Sequence, residues 1–213
     1  MSCCCATEGT NRFFNTQAGR VEKYFRKKGL RPEQKHLLHG LKQSGLEQAS
    51  ILEIGCGVGG LHLSLLQAGA ASAAGFDISE KMLQTAQKLA AEMNYQERTQ
   101  YWQGDFVALH EHAPAAEITI LDKVICCYEN FTELIRLSTA KTRRLYAVSY
   151  PRQSFAARII FRAAIFALRL MRVSFHPFYH PPRLIEAAIQ QQGFEKVFAR
   201  HTLMWAVQVF QRS

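Results

Sequence analysis

The chain has 213 residues, 48% hydrophobic and 20% charged, the composition of one ordinary folded domain. Disorder, collagen and coiled coil are excluded, and a chain of this size buries roughly 70% of its unfolded surface, so packing alone can hold it. Lys and Arg number 26 against 17 Asp and Glu, for a net charge of +9. From Leu134 to Ile185 there are ten basic residues and no acidic one, while the remainder is balanced to within one charge. A local anionic contact follows, for which a membrane surface, an acidic small molecule and nucleic acid are the candidates.

Residues 1–10 are small and polar apart from Cys3-Cys4-Cys5, and read as a disordered tail in front of one domain over 11–213. The cysteine triplet is either incidental or a site of reversible lipidation. Residues 11–45 read as a helical cap broken near Gly29-Leu30-Arg31-Pro32, since glycine ends helices and proline starts them. Strands follow at 51–54, 73–77, 100–102, 118–121 and 145–149, alternating with helices at 61–68, 80–93 and 131–140; Ser79 caps the second of these. This alternation implies parallel strands and an α/β, doubly wound, mostly parallel sheet.

The last third changes rhythm. Residues 155–173 read as an arginine-rich helix inserted after the fifth strand, with Arg158, Arg162, Arg169 and Arg172 in a stripe of about 80°. Three readings stay open for it: a helix lying on a membrane surface, a lid over an anionic acceptor, or a surface helix packed on the sheet. Pro181-Pro182 opens another helix, and strands at 196–200 and 203–210 are joined too tightly for a crossover, so they are antiparallel. The segment 152–182 is thus an insertion facing either the substrate or a membrane. No run of 18 uncharged apolar residues occurs, so no membrane-spanning helix is expected. The six cysteines form no disulfide framework and there is no secretory signal, so a reducing cytoplasm is expected.

The chemistry starts at Glu53-Ile54-Gly55-Cys56-Gly57-Val58-Gly59-Gly60, a glycine turn between a strand and a helix. Gly55, Gly57 and Gly60 fit the dinucleotide pattern G-x-G-x-x-G; Glu53, Gly55, Gly57 and Gly59 fit the E-x-G-x-G-x-G pattern of methyltransferases that use S-adenosylmethionine. An acid at the end of a buried strand needs a donor or a cation. The methionyl ammonium of that cofactor supplies one, whereas a pyrophosphate is repelled. Asp77 ends the second strand 22 residues after Gly55, where a carboxylate accepts ribose hydroxyls. Gly104-Asp105-Phe106 follows the third strand, where an acid can take an adenine amino group and a ring can cover the base. Cys56, Ile78 and Met82 flank these positions.

On these residues the chain resembles the class I S-adenosylmethionine-dependent methyltransferases, from about Ile51 to the C-terminus. The resemblance implies a seven-stranded sheet with its last strand antiparallel and S-adenosylhomocysteine as product. It also implies Glu53, Gly55, Gly57 and Gly59 at the methionyl end, Asp77 at the ribose, and Asp105 with Phe106 at the adenine. Gly57 to Leu61, Leu121 to Tyr128 and Ser149 to Arg152 are similar to segments of a small bacterial group whose layout looks like that of magnesium-protoporphyrin O-methyltransferases.

Ligands bind outside the carboxyl ends of parallel strands, so Asp122 to Tyr128 should pass the methyl group. Asp122, His176 and His180 are the base candidates, with Tyr128, Tyr150 and Tyr179 as hydrogen-bond partners. Asp122 also stands among the cofactor contacts. Cys126-Cys127 lacks the spacing of a metal site, and none is expected. The reading is methyl transfer to a small, apolar or aromatic, anionic acceptor at O, N or S. Its rivals are a nucleic-acid methyltransferase, which the segment after the fourth strand disfavours because it lacks an Asn/Asp-Pro-Pro-Tyr/Phe run, and a non-catalytic cofactor-binding protein that docks through its basic helix. A nicotinamide dehydrogenase is the third rival, which Glu53 disfavours.

Overall fold

In the computed structural model, residues 4–154, 163 and 177–213 are described. The arginine-rich helix read at 155–173, and His176, lie outside the described residues, as does Cys3. Seven strands form one sheet: β1 Ser50–Ile54, β2 Ser72–Asp77, β3 Thr99–Gln103, β4 Ala116–Asp122, β5 Thr142–Pro151, β6 Phe194–His201 and β7 Trp205–Arg212. Their order is β3-β2-β1-β4-β5-β7-β6. All neighbouring pairs are parallel up to β5; β7 runs antiparallel to both β5 and β6. The helices are α1 Cys4–Lys28, α2 Pro32–Gln43, α3 Gly60–Gln67, α4 Glu80–Glu92, α5 Phe106–Leu109, α6 Phe131–Ala140 and α7 Pro182–Gln190. Helix α1 begins within the stretch read as a tail, and β5 is longer at both ends than its apolar run, because β7 pairs with it as far as Pro151.

Two cores flank the sheet, sorted by the strand period of two. Ile51, Ile118, Ile120, Leu145 and Ala147 pack with Leu37 and Leu41 of α2 and Leu61 and Leu65 of α3. Leu52, Ile54, Leu121, Tyr146 and Val148 pack on the other face with Leu134 and Ile135 of α6 and Ile185 and Ile189 of α7. Glu53 shares the parity of Ile51 and so points toward α3.

Helix α1 is tied to α4 rather than left as a free cap. Asn15 Oδ1 accepts from Ser79 Oγ at 2.7 Å and from the Lys81 amide at 3.1 Å, while Arg26 pairs with Glu92 at 2.7 Å. Surface pairs of that kind contribute little, but the Asn15 bonds fix where α1 crosses the carboxyl ends of the strands. No helix among the described residues is long and apolar enough to cross a membrane.

Candidate active site

The β1–α3 loop turns through left-handed backbone at Gly55, Gly57 and Gly59, with φ of 66°, 55° and 78°. Two of these glycines are also demanded by close neighbours. A Cβ on Gly55 would lie 2.4 Å from Val124 Cγ2, and one on Gly59 would lie 2.8 Å from the His62 ring. The loop is drawn to β2 by Asp77, whose Oδ2 accepts from the Gly57 amide and whose Oδ1 accepts from the Ser79 amide, each at 2.8 Å. Burial pushes the Asp77 carboxyl above the ordinary carboxylate range, against the pull of those amides.

Loop, strand ends and N-terminal helices enclose a cavity of about 340 Å³. Of the residues singled out by sequence, Glu53, Gly55, Cys56, Gly57, Asp77, Ile78, Met82, Gly104, Phe106, Asp122 and Tyr128 are in its walls. Gly59, Asp105 and His180 are not. Gly59 makes room for His62. Asp105 caps α5 by accepting from the Val107 amide at 3.0 Å, and the same oxygen accepts from the Tyr128 hydroxyl at 2.6 Å. His180 Nε2 donates to the Tyr128 carbonyl at 2.7 Å, and its ring packs on Phe131. Tyr150 is wholly buried and donates to Gln208 at 2.7 Å, away from the cavity. Tyr179 is exposed.

The partner of Glu53 is one the sequence did not announce. His62 Nδ1 lies 2.7 Å from Glu53 Oε2, and its Nε2 lies 2.9 Å from the Tyr101 hydroxyl. Burial raises the Glu53 carboxyl above its usual range while His62 pulls the other way. A histidine set in the Leu-rich α3, three residues after a glycine, is the one signal for it in the sequence.

At the other end of the cavity, Asp122 closes β4. Its Oδ1 accepts from Ser149 Oγ at 2.5 Å and its Oδ2 from Gln34 Nε2 at 2.9 Å. Lys123 takes a left-handed φ of 62° and sends its ammonium to Glu33 at 2.8 Å and Asp122 at 3.5 Å. Burial works against that charge, but Asp122 and Glu33 outweigh it and hold the Lys123 pKa above normal. Cys126 and Cys127 both direct their thiols at the Lys123 carbonyl, at 3.3 and 3.6 Å. The described residues include no cluster of three or more His, Cys, Asp or Glu side chains fit to hold a metal. The roof was not foreseen: Phe14, Val21, Tyr24 and Phe25 of α1 line the cavity, together with Arg31 and Gln34.

Comparison with known proteins agrees with this layout. A family described as methyltransferase domain matches residues 51–148, which contain the glycine loop, Asp77, Asp105 and Asp122. No curated protein matches the sequence. Magnesium protoporphyrin IX methyltransferase from Synechocystis, solved with S-adenosylhomocysteine bound, superposes with a TM-score of 0.75 at 20% identity over 96% of this chain and 98% of that one. An O-methyltransferase family protein from Burkholderia thailandensis gives a TM-score of 0.70 at 15% identity over 93% of this chain and 61% of that one. Residues 51–148 are thus similar to a methyltransferase domain, and the seven-stranded fold is that of the methyltransferase structures compared.

Proposed function

We propose that the chain transfers the methyl group of S-adenosylmethionine to a small, apolar or aromatic, anionic acceptor at an O, N or S atom. The observation that carries this reading is the meeting of the Gly55–Gly60 loop, Asp77, Phe106 and Asp122 around one cavity at the carboxyl ends of β1, β2 and β4. The cavity suits the cofactor. A Cβ on Gly57 would meet nothing nearer than Met82 Sδ at 4.0 Å, so the loop backbone lies open to a ligand. Each Asp77 oxygen accepts one amide bond and keeps capacity for a ribose hydroxyl. Phe106, packed edge-on against Phe76, offers an apolar wall for a base beside Ile78 and Met82.

The bound cofactor supplies an activated sulfonium methyl; the chain aligns the acceptor, excludes water and takes a proton where the acceptor carries one. Asp122 is the base we assign. Its oxygens hold one hydrogen bond each from Ser149 and Gln34, which fixes the carboxylate yet leaves lone pairs for a third donor. Tyr128 is an unfit base, because burial and the Asp105 charge push its hydroxyl pKa well up and keep it a donor. The free thiols of Cys56, Cys126 and Cys127 suit a reducing compartment.

The test is calorimetric titration with S-adenosylmethionine, S-adenosylhomocysteine and NAD(H), then transfer of labelled methyl to a panel of carboxylated aromatics, thiols and porphyrins. Binding of the first two ligands and not the third, with label moved to a carboxylated aromatic, is the expected result. NAD(H) binding alone would overturn the reading.

A further inference from the structure

The charges in the cavity wall are paired with one exception. Glu53 has His62, Asp77 has two amides, and Asp122 and Lys123 have Ser149, Gln34 and Glu33. Arg31 forms no ion pair among the described residues; its guanidinium lies over the Tyr24 ring, 4.2 Å from the centroid. It stands in the turn between α1 and α2, half-buried, in the wall of the cavity.

A second depression of about 470 Å³ adjoins the cavity and shares Val21, Tyr24 and Arg31 with it. Arg20, Lys23, Lys27, Lys28 and Arg31 line it, without a carboxylate. None of these five cations forms an ion pair among the described residues. The opposite side of the same helix is different: Glu22 and Arg26 face α4 and meet Lys88 and Glu92 there. Cations in the last turn complement the helix dipole, which accounts for Lys27 and Lys28. Arg20 and Lys23 sit farther back, where the dipole offers nothing and like charges along one helix face repel.

Resting on the methyl-transfer reading, we propose that Arg31 and the Arg20–Lys23–Lys27 face of α1 form the anion site of the methyl acceptor. The acceptor's apolar body lies under Tyr24 and Phe25 in the cavity, and its carboxylates reach out past Arg31 into the basic groove. Guanidinium suits this post because its planar donors can grip a carboxylate while its face stays stacked on Tyr24. The ligand class is an amphipathic aromatic carboxylic acid, with at least one acid group several ångströms from the atom that receives the methyl.

Two fluorescent probes of equal bulk test it: 1-pyrenebutyrate and its uncharged counterpart 1-pyrenebutanol. Each is titrated into the full chain, with and without S-adenosylhomocysteine. The acid is expected to bind at least about tenfold more tightly at low salt, with the preference shrinking as salt screens the groove. Arg31→Gln, and separately Lys23→Gln with Lys27→Gln, should erase most of that preference, read as the ratio of the two probes' affinities within each variant. Equal affinity for the two probes, or an acid preference that survives both variants, overturns the proposal. So does capture of the chain by phosphatidylglycerol vesicles with no preference for the soluble acid, which would make the groove a lipid surface. A chain that fails to bind S-adenosylhomocysteine removes the methyl-transfer reading on its own arm; one that binds it and shows no acid preference removes the anion site alone.

Discussion

His62 Nδ1 lies 2.7 Å from Glu53 Oε2, and the two side chains are 0% and 2% exposed. One proton lies between them, and Tyr101 closes the chain of bonds on the far side of the imidazole. Removing one member of such a pair strands the other without water, a loss of about 3–5 kcal/mol in comparable sites. His62→Ala should therefore lower the urea midpoint steeply, and His62→Gln, which keeps a donor, should lower it less. A midpoint unmoved by His62→Ala would mean that Glu53 finds another partner.

Asp77 makes cofactor binding sensitive to pH. Its carboxyl is raised above the ordinary value, chiefly by burial. A raised carboxyl favours the folded state at low pH, and that contribution is lost as pH rises through the folded-state pKa. Cofactor binding runs the opposite way, since hydroxyls donate best to the ionised form. Affinity for S-adenosylhomocysteine should fall about tenfold per pH unit below the raised pKa. Asp77→Asn should flatten the profile and cost about 1–3 kcal/mol of binding at neutral pH. Calorimetry between pH 4 and 8 reads both effects, and an unaltered profile in Asp77→Asn would take Asp77 out of the site.

Gly55 is where backbone and packing requirements coincide. Its φ of 66° costs an L-residue about 1–2 kcal/mol. The added methyl would also meet Val124 Cγ2 at 2.4 Å, an overpacking that costs a further 1–3 kcal/mol or so. Gly55→Ala is expected to lose stability on both accounts, and Val124→Ala in the same chain should recover part of the second. Urea unfolding of the single and double variants checks this; a double variant no better than the single would show that backbone strain alone matters.

Local signals made the sheet legible. The alternation of apolar runs with helical periods gave seven strands in order, and the short link before β7 gave its antiparallel sense. The glycine spacing and the acids at the ends of β1, β2 and β4 gave most of the cavity floor, because each lies at or within a few residues of a strand end. What escaped depends on contacts between segments far apart in the chain. The roof comes from Phe14, Tyr24 and Phe25, whose helical period says that one face is covered but not by what. Arg31 and Gln34 reach Tyr24 and Asp122 only once α1 and α2 have docked. Asp105, singled out by its position after β3, lies outside the cavity wall and accepts from the Val107 amide and the Tyr128 hydroxyl. The sequence-wide charge count drew attention to residues 134–185 and away from the basic face of α1, where Glu22 dilutes the total while pairing with Arg26 and Lys88 outside the groove.

Asp122 is held from three directions, so its role in turnover can be separated from its role in structure. Gln34 and Ser149 donate to its two oxygens, and Lys123 lies 3.5 Å away. Asp122→Asn keeps the shape but loses the negative charge and, through its amide group, turns one acceptor into a donor. If Asp122 takes the acceptor's proton, kcat should fall at least tenfold, while S-adenosylhomocysteine affinity stays within about threefold, since general-base catalysis is worth about 10²–10⁴ in rate. Gln34→Ala supplies the control. It frees the carboxylate from its α2 tether without removing the base, so it should shift KM more than kcat. Steady-state methyl transfer to the acceptor identified by the labelling panel distinguishes the two. A base signature shows as a kcat that falls in Asp122→Asn and is retained in Gln34→Ala. Equal kcat in wild type and Asp122→Asn would leave Asp122 as the anchor that seats α2 and Lys123 over the end of β4, with no part in proton transfer.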